Sequence, residues 1–126
     1  MSPIKNIEKV AAQSVNIRNL IGEQILQTPC LAARESFPNE TRVYFKTENF
    51  QHTGSFKIRG AISKLKNISR DSALITASSG NHGIACSHAA MVTGHNLTVV
   101  LPENVAKSKL AKINSYGVST ILRPGD

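Results

Sequence analysis

The sequence predicts an α/β fold, a parallel β-sheet with helices on both faces, and three observations carry that prediction. Past Ser55, short apolar stretches of strand length alternate with longer stretches of helical composition. The strand candidates at residues 73–77, 97–101 and 119–122 lack a regular apolar–polar alternation, which argues for strands buried on both faces. Gly94 and Gly117 stand where the intervening helices should close with a C-terminal glycine.

The elements follow in order. Ser2 can cap an opening helix, Pro3 suits its first turn, and Ile4, Ile7, Val10 and Ala11 recur at helical spacing. Thr28-Pro29 ends or bends what precedes it, because the residue before proline avoids the α region. Phe37-Pro38-Asn39-Glu40 reads as a turn, and Val43-Tyr44-Phe45 as a short strand. Residues 55–66 read as a helix, 73–77 as a strand, and 82–93 as an Ala-rich helix closed by Gly94. Residues 97–101 form a strand that Pro102 stops, 106–116 a helix, and 119–122 a last strand. A βα unit should then continue into a crossover helix. The chain instead runs Arg123-Pro124-Gly125-Asp126, so it is expected to be incomplete.

Composition narrows the function classes. A chain of 126 residues, 40% hydrophobic, suits one ordinary domain with a core. No apolar run approaches the ~20 residues of a membrane span. The opening Met1-Ser2-Pro3-Ile4-Lys5 lacks the basic-then-apolar pattern of a secretory signal, so a soluble cytoplasmic protein without a membrane partner is the default. Cys30 and Cys86 lie in no metal-ligand spacing and read as two small buried hydrophobes; no metal site is expected. The net charge of +7 raises nucleic acid as a partner. The charge is scattered, however, with Lys64-Leu65-Lys66 and Lys107-Ser108-Lys109 on apparent helix faces and no aromatic interleaving. Solvated helix faces explain it, as does a more acidic remainder of the chain, and no nucleic-acid partner is expected.

Two segments carry chemistry. In Thr53-Gly54-Ser55-Phe56-Lys57-Ile58-Arg59-Gly60-Ala61, Gly54 permits a tight entry into a helix and Ser55 can cap it. Lys57 then falls in the first turn, where free amides and the helix dipole disfavour an ammonium and favour a nucleophilic amine. A single lysine there is more often an ordinary solvated one. In Thr76-Ala77-Ser78-Ser79-Gly80-Asn81-His82-Gly83, an apolar strand runs into a helix start. Such a junction aims several N–H groups at one spot and suits an anion such as a carboxylate, at the strand ends where open parallel sheets bind ligands. A plain polar turn with a helix cap is the bland alternative. The GxxxxGK[ST] pattern of a P-loop is absent.

Together the two segments are far more specific. The Thr53–Ala61 motif closely resembles the cofactor-lysine motif of fold-type II pyridoxal-phosphate enzymes, and Ser78-Ser79-Gly80-Asn81-His82-Gly83 resembles their substrate-carboxylate loop. Thr28-Pro29, Glu48-Asn49-Phe50-Gln51 and Leu101-Pro102-Glu103-Asn104 match as well. Ile58 after the lysine and His82 in the loop resemble the serine/threonine dehydratase and serine racemase branch. Ser79 resembles the racemase and 3-hydroxyaspartate dehydratase versions.

The resemblance implies a tryptophan-synthase-β-like architecture. Residues 1–67 would be the N-terminal segment of a larger cofactor domain, and residues 68–126 an incomplete smaller domain with the carboxylate loop. It implies pyridoxal 5′-phosphate as cofactor, joined to Lys57 as an imine, with Phe56 and Asn81 also against it. Ser78, Ser79, Asn81 and His82 would hold the substrate carboxylate. Freed Lys57 would act as base at Cα, and Ser79 on the opposite face could return a proton and racemise. The implied reaction converts a 2-amino-3-hydroxy acid to a 2-oxo acid and ammonia, with serine racemisation or 3-hydroxyaspartate dehydration as alternatives. Family members are usually homo-oligomers. Their glycine-rich phosphate loop lies downstream of the region present here, and none of the eight glycines forms such a cluster. The chain alone is therefore expected to be weakly active or inactive. A non-catalytic remnant or interaction fragment is the competing reading.

Overall fold

A computed structural model of the chain describes residues 3–35 and 37–125. Its elements are α1 (Pro3–Ile21), β1 (Cys30–Ala32), β2 (Tyr44–Lys46), α2 (Lys57–Lys66) and β3 (Leu74–Ala77), followed by α3 (Asn81–Thr93), β4 (Leu97–Pro102), α4 (Lys107–Asn114) and β5 (Ser119–Arg123). The strands fall into two sheets. β1 and β2 pair antiparallel with Leu31 opposite Phe45. The main sheet has the order β3-β4-β5, parallel throughout, with Ile75 opposite Thr98 and Thr98 opposite Ser119.

The main sheet bears out the parallel prediction, and within the described residues its helices lie over one face. The strands are consecutive and parallel in the order β3-β4-β5, and the connecting helices α3 and α4 pack against each other on one face. Leu97, Val99 and Leu101 of β4 point there and are buried. The opposite face carries Ile75, which is 71% exposed, and Ile121, also exposed. Among the described residues the expected second helical layer is absent. The apolar strands signal a surface that could be covered, and the topology of this segment covers half of it.

The core is one apolar cluster. α2 contributes Ile58, Ala61, Ile62 and Leu65, the i, i+3, i+4, i+7 stripe of a helix, and α3 contributes Ile84, Ala85, Ala89 and Ala90. Small residues on α3 let α2 lie close against it, and Ile58 and Ile62 are fully buried, worth about 1.5–3 kcal/mol each. Ile113 of α4 and Ile21, the last residue of α1, join the same cluster. The cluster spans the 67/68 boundary drawn from the sequence.

Several local expectations hold and several shift. Gly94 and Gly117 adopt φ of +73°, the left-handed conformation that closes α3 and the turn after α4. Asn39 takes φ of +56° in the turn at Pro38–Glu40. The expected helix at 55–66 begins at Lys57, and Ser55 makes no capping bond to it. The short strand expected at 43–45 runs one residue later, paired with β1, which the sequence reading omitted. α1 forms as expected, but Ile7 and Val10 on its apolar stripe are exposed. Ser2, the expected cap, lies outside the described residues. Cys86 is buried as expected, while Cys30 lies exposed on β1, a correction. Lys64, Lys66, Lys107 and Lys109 are solvated, as the charge distribution required. No described helix is long and apolar enough to cross a membrane.

Candidate functional site

Lys57 is the first residue of α2 and is exposed. The turn ahead of it is tight: the Gly54 N–H donates to the Gln51 carbonyl at 2.8 Å, and Gly54 has φ of +75°, a conformation that favours glycine. The chain needs that reversal because Ile58 must face the core while Lys57 faces out. Phe56 is 60% exposed, and the Lys57 ammonium sits 5.2 Å from its ring centroid. The hydroxyl of Ser55 is buried and has no hydrogen-bond partner.

The second segment closes on itself. Ser78 prolongs the strand ladder, its N–H donating to the Val100 carbonyl. Its Oγ then accepts from the amides of Gly80 at 3.3 Å and Gly83 at 3.1 Å. The hydroxyl thus caps α3 from inside the loop, a role beyond the carboxylate grip implied by the resemblance. Gly83 is required by contact: a Cβ there would stand 2.3 Å from the Ser78 carbonyl oxygen. Among the described residues, the N–H groups of Ser79, Asn81 and His82 donate to no protein acceptor. Three free amides stand together at this helix start, an arrangement to which anions generally bind.

Between the two segments lies a cavity of about 540 Å³ with largely apolar walls. Phe56 and, from α2, Lys57, Gly60 and Lys64 line one side, and Thr76, His82 and Cys86 the other. Gly60 contributes no side chain, which opens the wall beside Lys57 by one helical turn. His82 stands with Nε2 3.5 Å from the Cys86 sulfur. Burial pushes the Cys86 thiol pKa up, so this sulfur is a protonated, apolar wall group rather than a thiolate.

A polar network braces the Lys57 helix from behind. Arg59 donates to both Glu48 oxygens, Nε to Oε2 and Nη2 to Oε1, each at 2.8 Å. The Thr28 hydroxyl donates to Glu48 Oε1, and the Lys46 ammonium donates to Thr28 and pairs with Glu48 at 3.5 Å. The Arg59 hydrogen bonds hold the Glu48 carboxyl at about 2, well below its ordinary 4.5; burial opposes this, and Thr28 and the charges of Arg59 and Lys46 assist. The same pairing raises Arg59. Next to it, the Gln51 amide accepts from Leu26 N–H and donates to Leu26 C=O, stitching segment 26–28 to the turn.

A ring stack ties the turn to α3. His52 and His88 lie 5.6 Å apart and nearly parallel at 11°, and Tyr116 meets His88 edge-on at 5.4 Å. Burial, then the nearby His52 and Lys112, lower the His88 pKa and keep it neutral near pH 7.

Of the residues singled out in the sequence, Phe56, Lys57 and His82 converge on one cavity, while Ser78, Ser79 and Asn81 form the adjoining loop. Thr28, Glu48 and Gln51 brace the site without being among the residues the sequence singles out for it. Their signal was present as the Thr-Pro and Glu-Asn-Phe-Gln segments, whose pairing only tertiary structure reveals. Among the described residues, no three His, Cys, Asp or Glu side chains group to hold a metal ion.

Comparison with known proteins shows which family the chain resembles. The family described as "Pyridoxal-phosphate dependent enzyme" matches residues 21–126. L-threo-3-hydroxyaspartate ammonia-lyase of Saccharomyces cerevisiae is 38% identical over 109 residues, covering 82% of this chain and 33% of that protein. Human serine racemase is 37% identical over 116 residues, covering 85% of this chain and 32% of that protein. The crystal structure of serine racemase from Dictyostelium discoideum superposes with a TM-score of 0.78 at 36% identity, covering 88% of this chain and 38% of that one. The chain spans about a third of the length of the curated relatives it matches. Matched over nearly its whole length from Ile21 onward, this chain belongs to the family of pyridoxal-phosphate dependent enzymes of fold type II.

Proposed function

We propose that this chain supplies the cofactor-lysine segment, residues 1–67, and the carboxylate-loop segment, residues 68–126, of a threonine/serine dehydratase, an ammonia-lyase acting on a 2-amino-3-hydroxy acid. The observation that supports the reading is that exposed Lys57 and His82, the latter from the free-amide loop, line one apolar-walled cavity. The residues present fit the cofactor. Lys57 offers an accessible amine, Phe56 an exposed ring beside it, and the cavity an apolar bed. Bound pyridoxal phosphate would supply an electron sink for negative charge at the amino acid Cα. The chain's own residues do the rest. Lys57 would hold the cofactor covalently through its amine and, when free, would take the Cα proton. The amides of Ser79, Asn81 and His82 bind and orient the carboxylate, with Ser78 and Asn81 side chains beside them. Phe56 shields one side of the cavity from water.

A second reading, racemisation or 3-hydroxyaspartate dehydration, is favoured by Ser79, whose half-buried hydroxyl lies in the loop and could move a proton on the face opposite Lys57. The substrate is a small amino acid in either case.

The test is borohydride trapping after incubation with pyridoxal phosphate, with the adduct mapped by mass spectrometry. A single adduct at Lys57, lost in Lys57→Ala, is the expected result. Labelling spread evenly over the exposed lysines would refute the assignment and leave the remnant reading in its place. Turnover of serine or threonine by the 126-residue chain alone is expected to be weak or undetectable.

A further inference from the structure

We propose that Glu48 is a positioning residue for Lys57: its fork with Arg59, closed against Thr28, sets the roll and axial position of the first turn of α2 and so the place of the Lys57 amine at the cavity mouth. The inference rests on the reading of Lys57 given above.

Backbone bonds shape that turn, Arg59 N–H to the Phe56 carbonyl among them, but no side chain fixes it locally. α2 starts without a side-chain cap, and the Ser55 hydroxyl, which could have provided one, is buried without a partner. Phe56 and Lys57 are both exposed, so packing does not hold them. Ile58 and Ile62 lock the helix onto α3, but aliphatic contacts are non-directional and allow a helix to roll or slide by a fraction of an ångström. A bidentate guanidinium–carboxylate pair is directional in both angle and distance. Arg59 lies two residues past Lys57, about 200° round the helix, so Glu48 pulls on the side away from the Lys57 amine. The anchor does not give way easily. Glu48 accepts from Arg59 twice and from Thr28, pairs with Lys46, and its side chain is only 14% exposed. Thr28 belongs to the segment that Gln51 stitches to the turn preceding Lys57. The brace and the turn therefore share one foundation.

The experiment follows covalent attachment of pyridoxal phosphate at Lys57 by time-resolved borohydride trapping and mass mapping in the full chain. Glu48→Gln is compared with Ile62→Val, which loosens the same helix through its core packing and leaves the fork intact, with circular dichroism reporting the folded fraction. Glu48→Gln is expected to slow attachment at Lys57 about tenfold per folded molecule, a loss typical of misplacing a reacting group. Ile62→Val should match the wild type per folded molecule. Equal rates in Glu48→Gln and wild type, or equal losses in the two variants, overturn the inference. Where Glu48→Gln does not fold, Thr28→Val removes one arm of the brace and keeps the Arg59 fork. A two- to threefold slowing per folded molecule supports the inference, and an unchanged rate overturns it. A wild-type chain that shows no attachment at Lys57 refutes the functional reading instead. Positioning is then read from amide hydrogen exchange, where faster exchange confined to residues 57–60 in Glu48→Gln supports it and unchanged exchange overturns it.

Discussion

The turn before Lys57 and the loop before Asn81 do the same job by opposite means. Each delivers a helix start to one cavity. The loop is closed by its own side chain: Ser78 Oγ accepts from the amides of Gly80 and Gly83 within six residues, and Gly83 packs on the Ser78 carbonyl. The turn has its own Gly54-to-Gln51 bond but no side-chain cap, and its side-chain bracing comes from Glu48, Thr28 and the His52–His88 stack. A locally closed segment keeps its shape as long as its own atoms fit. An externally braced one keeps its shape as long as distant parts of the chain stay docked, and its stability carries their chemistry, including their pH dependence.

The largest effect should come from breaking the closed loop at its tightest contact. Gly83→Ala places a carbon where only 2.3 Å separates it from backbone oxygen, and backbone on both sides must move. A loss of about 3 kcal/mol is expected. Gly80→Ala, three residues earlier in the same loop, meets nothing within 4 Å and has an ordinary φ of −114°, so it should cost under about 0.5 kcal/mol. Chemical denaturation of both variants checks this. Equal losses would show that the loop is sensitive everywhere rather than at one contact.

The braced turn should respond instead to acid. Glu48 has a folded-state pKa depressed to about 2 from 4.5. Its contribution is therefore complete above the unfolded value of 4.5 and is lost progressively as pH falls toward about 2. After allowance for screening at a partly solvated site, the contribution is about 2 kcal/mol. Denaturation curves of wild type and Glu48→Gln, taken between about pH 2 and pH 6, should converge at the acid end and separate toward pH 6. Curves that stay parallel would sink the attribution to Glu48.

The same contrast explains what could be read in advance. The loop at 78–83 was legible because its devices, a serine at the strand end and glycines at fixed offsets, act over a few residues. The place of Lys57 in the first turn of α2 was legible from the Gly54-Ser55 entry ahead of it, and the parallel main sheet from its apolar runs. The brace was not, because Thr28, Lys46 and Arg59 meet Glu48 only after β1 pairs with β2 and brings residue 28 beside residue 48. Ser55 misled for the same reason. Its spacing to the helix suits a cap, yet tertiary anchoring lets α2 begin at Lys57 and leaves the hydroxyl unused. The one-sided covering of the sheet was likewise invisible, since an apolar strand records that a face can be buried and not which layer buries it.

Two serines sharpen the comparison at the smallest scale, because they occupy matching places before the two helices. Ser78 accepts two amide hydrogen bonds, including one from the third residue of α3. Removing it in Ser78→Ala leaves those amides with no acceptor inside the loop and should cost about 1 kcal/mol, as the loss of a helix cap does. Ser55 is as buried as a core residue and its hydroxyl has no partner. A buried, unbonded hydroxyl is a net cost, so Ser55→Ala removes a penalty and no bond. The expected change is neutral to about 0.5 kcal/mol stabilising. Thermal unfolding of the two alanine variants under one buffer separates the cases by sign. A clear loss in Ser55→Ala would mean that its hydroxyl does cap α2 in solution, and the turn before Lys57 would then be locally closed like its counterpart.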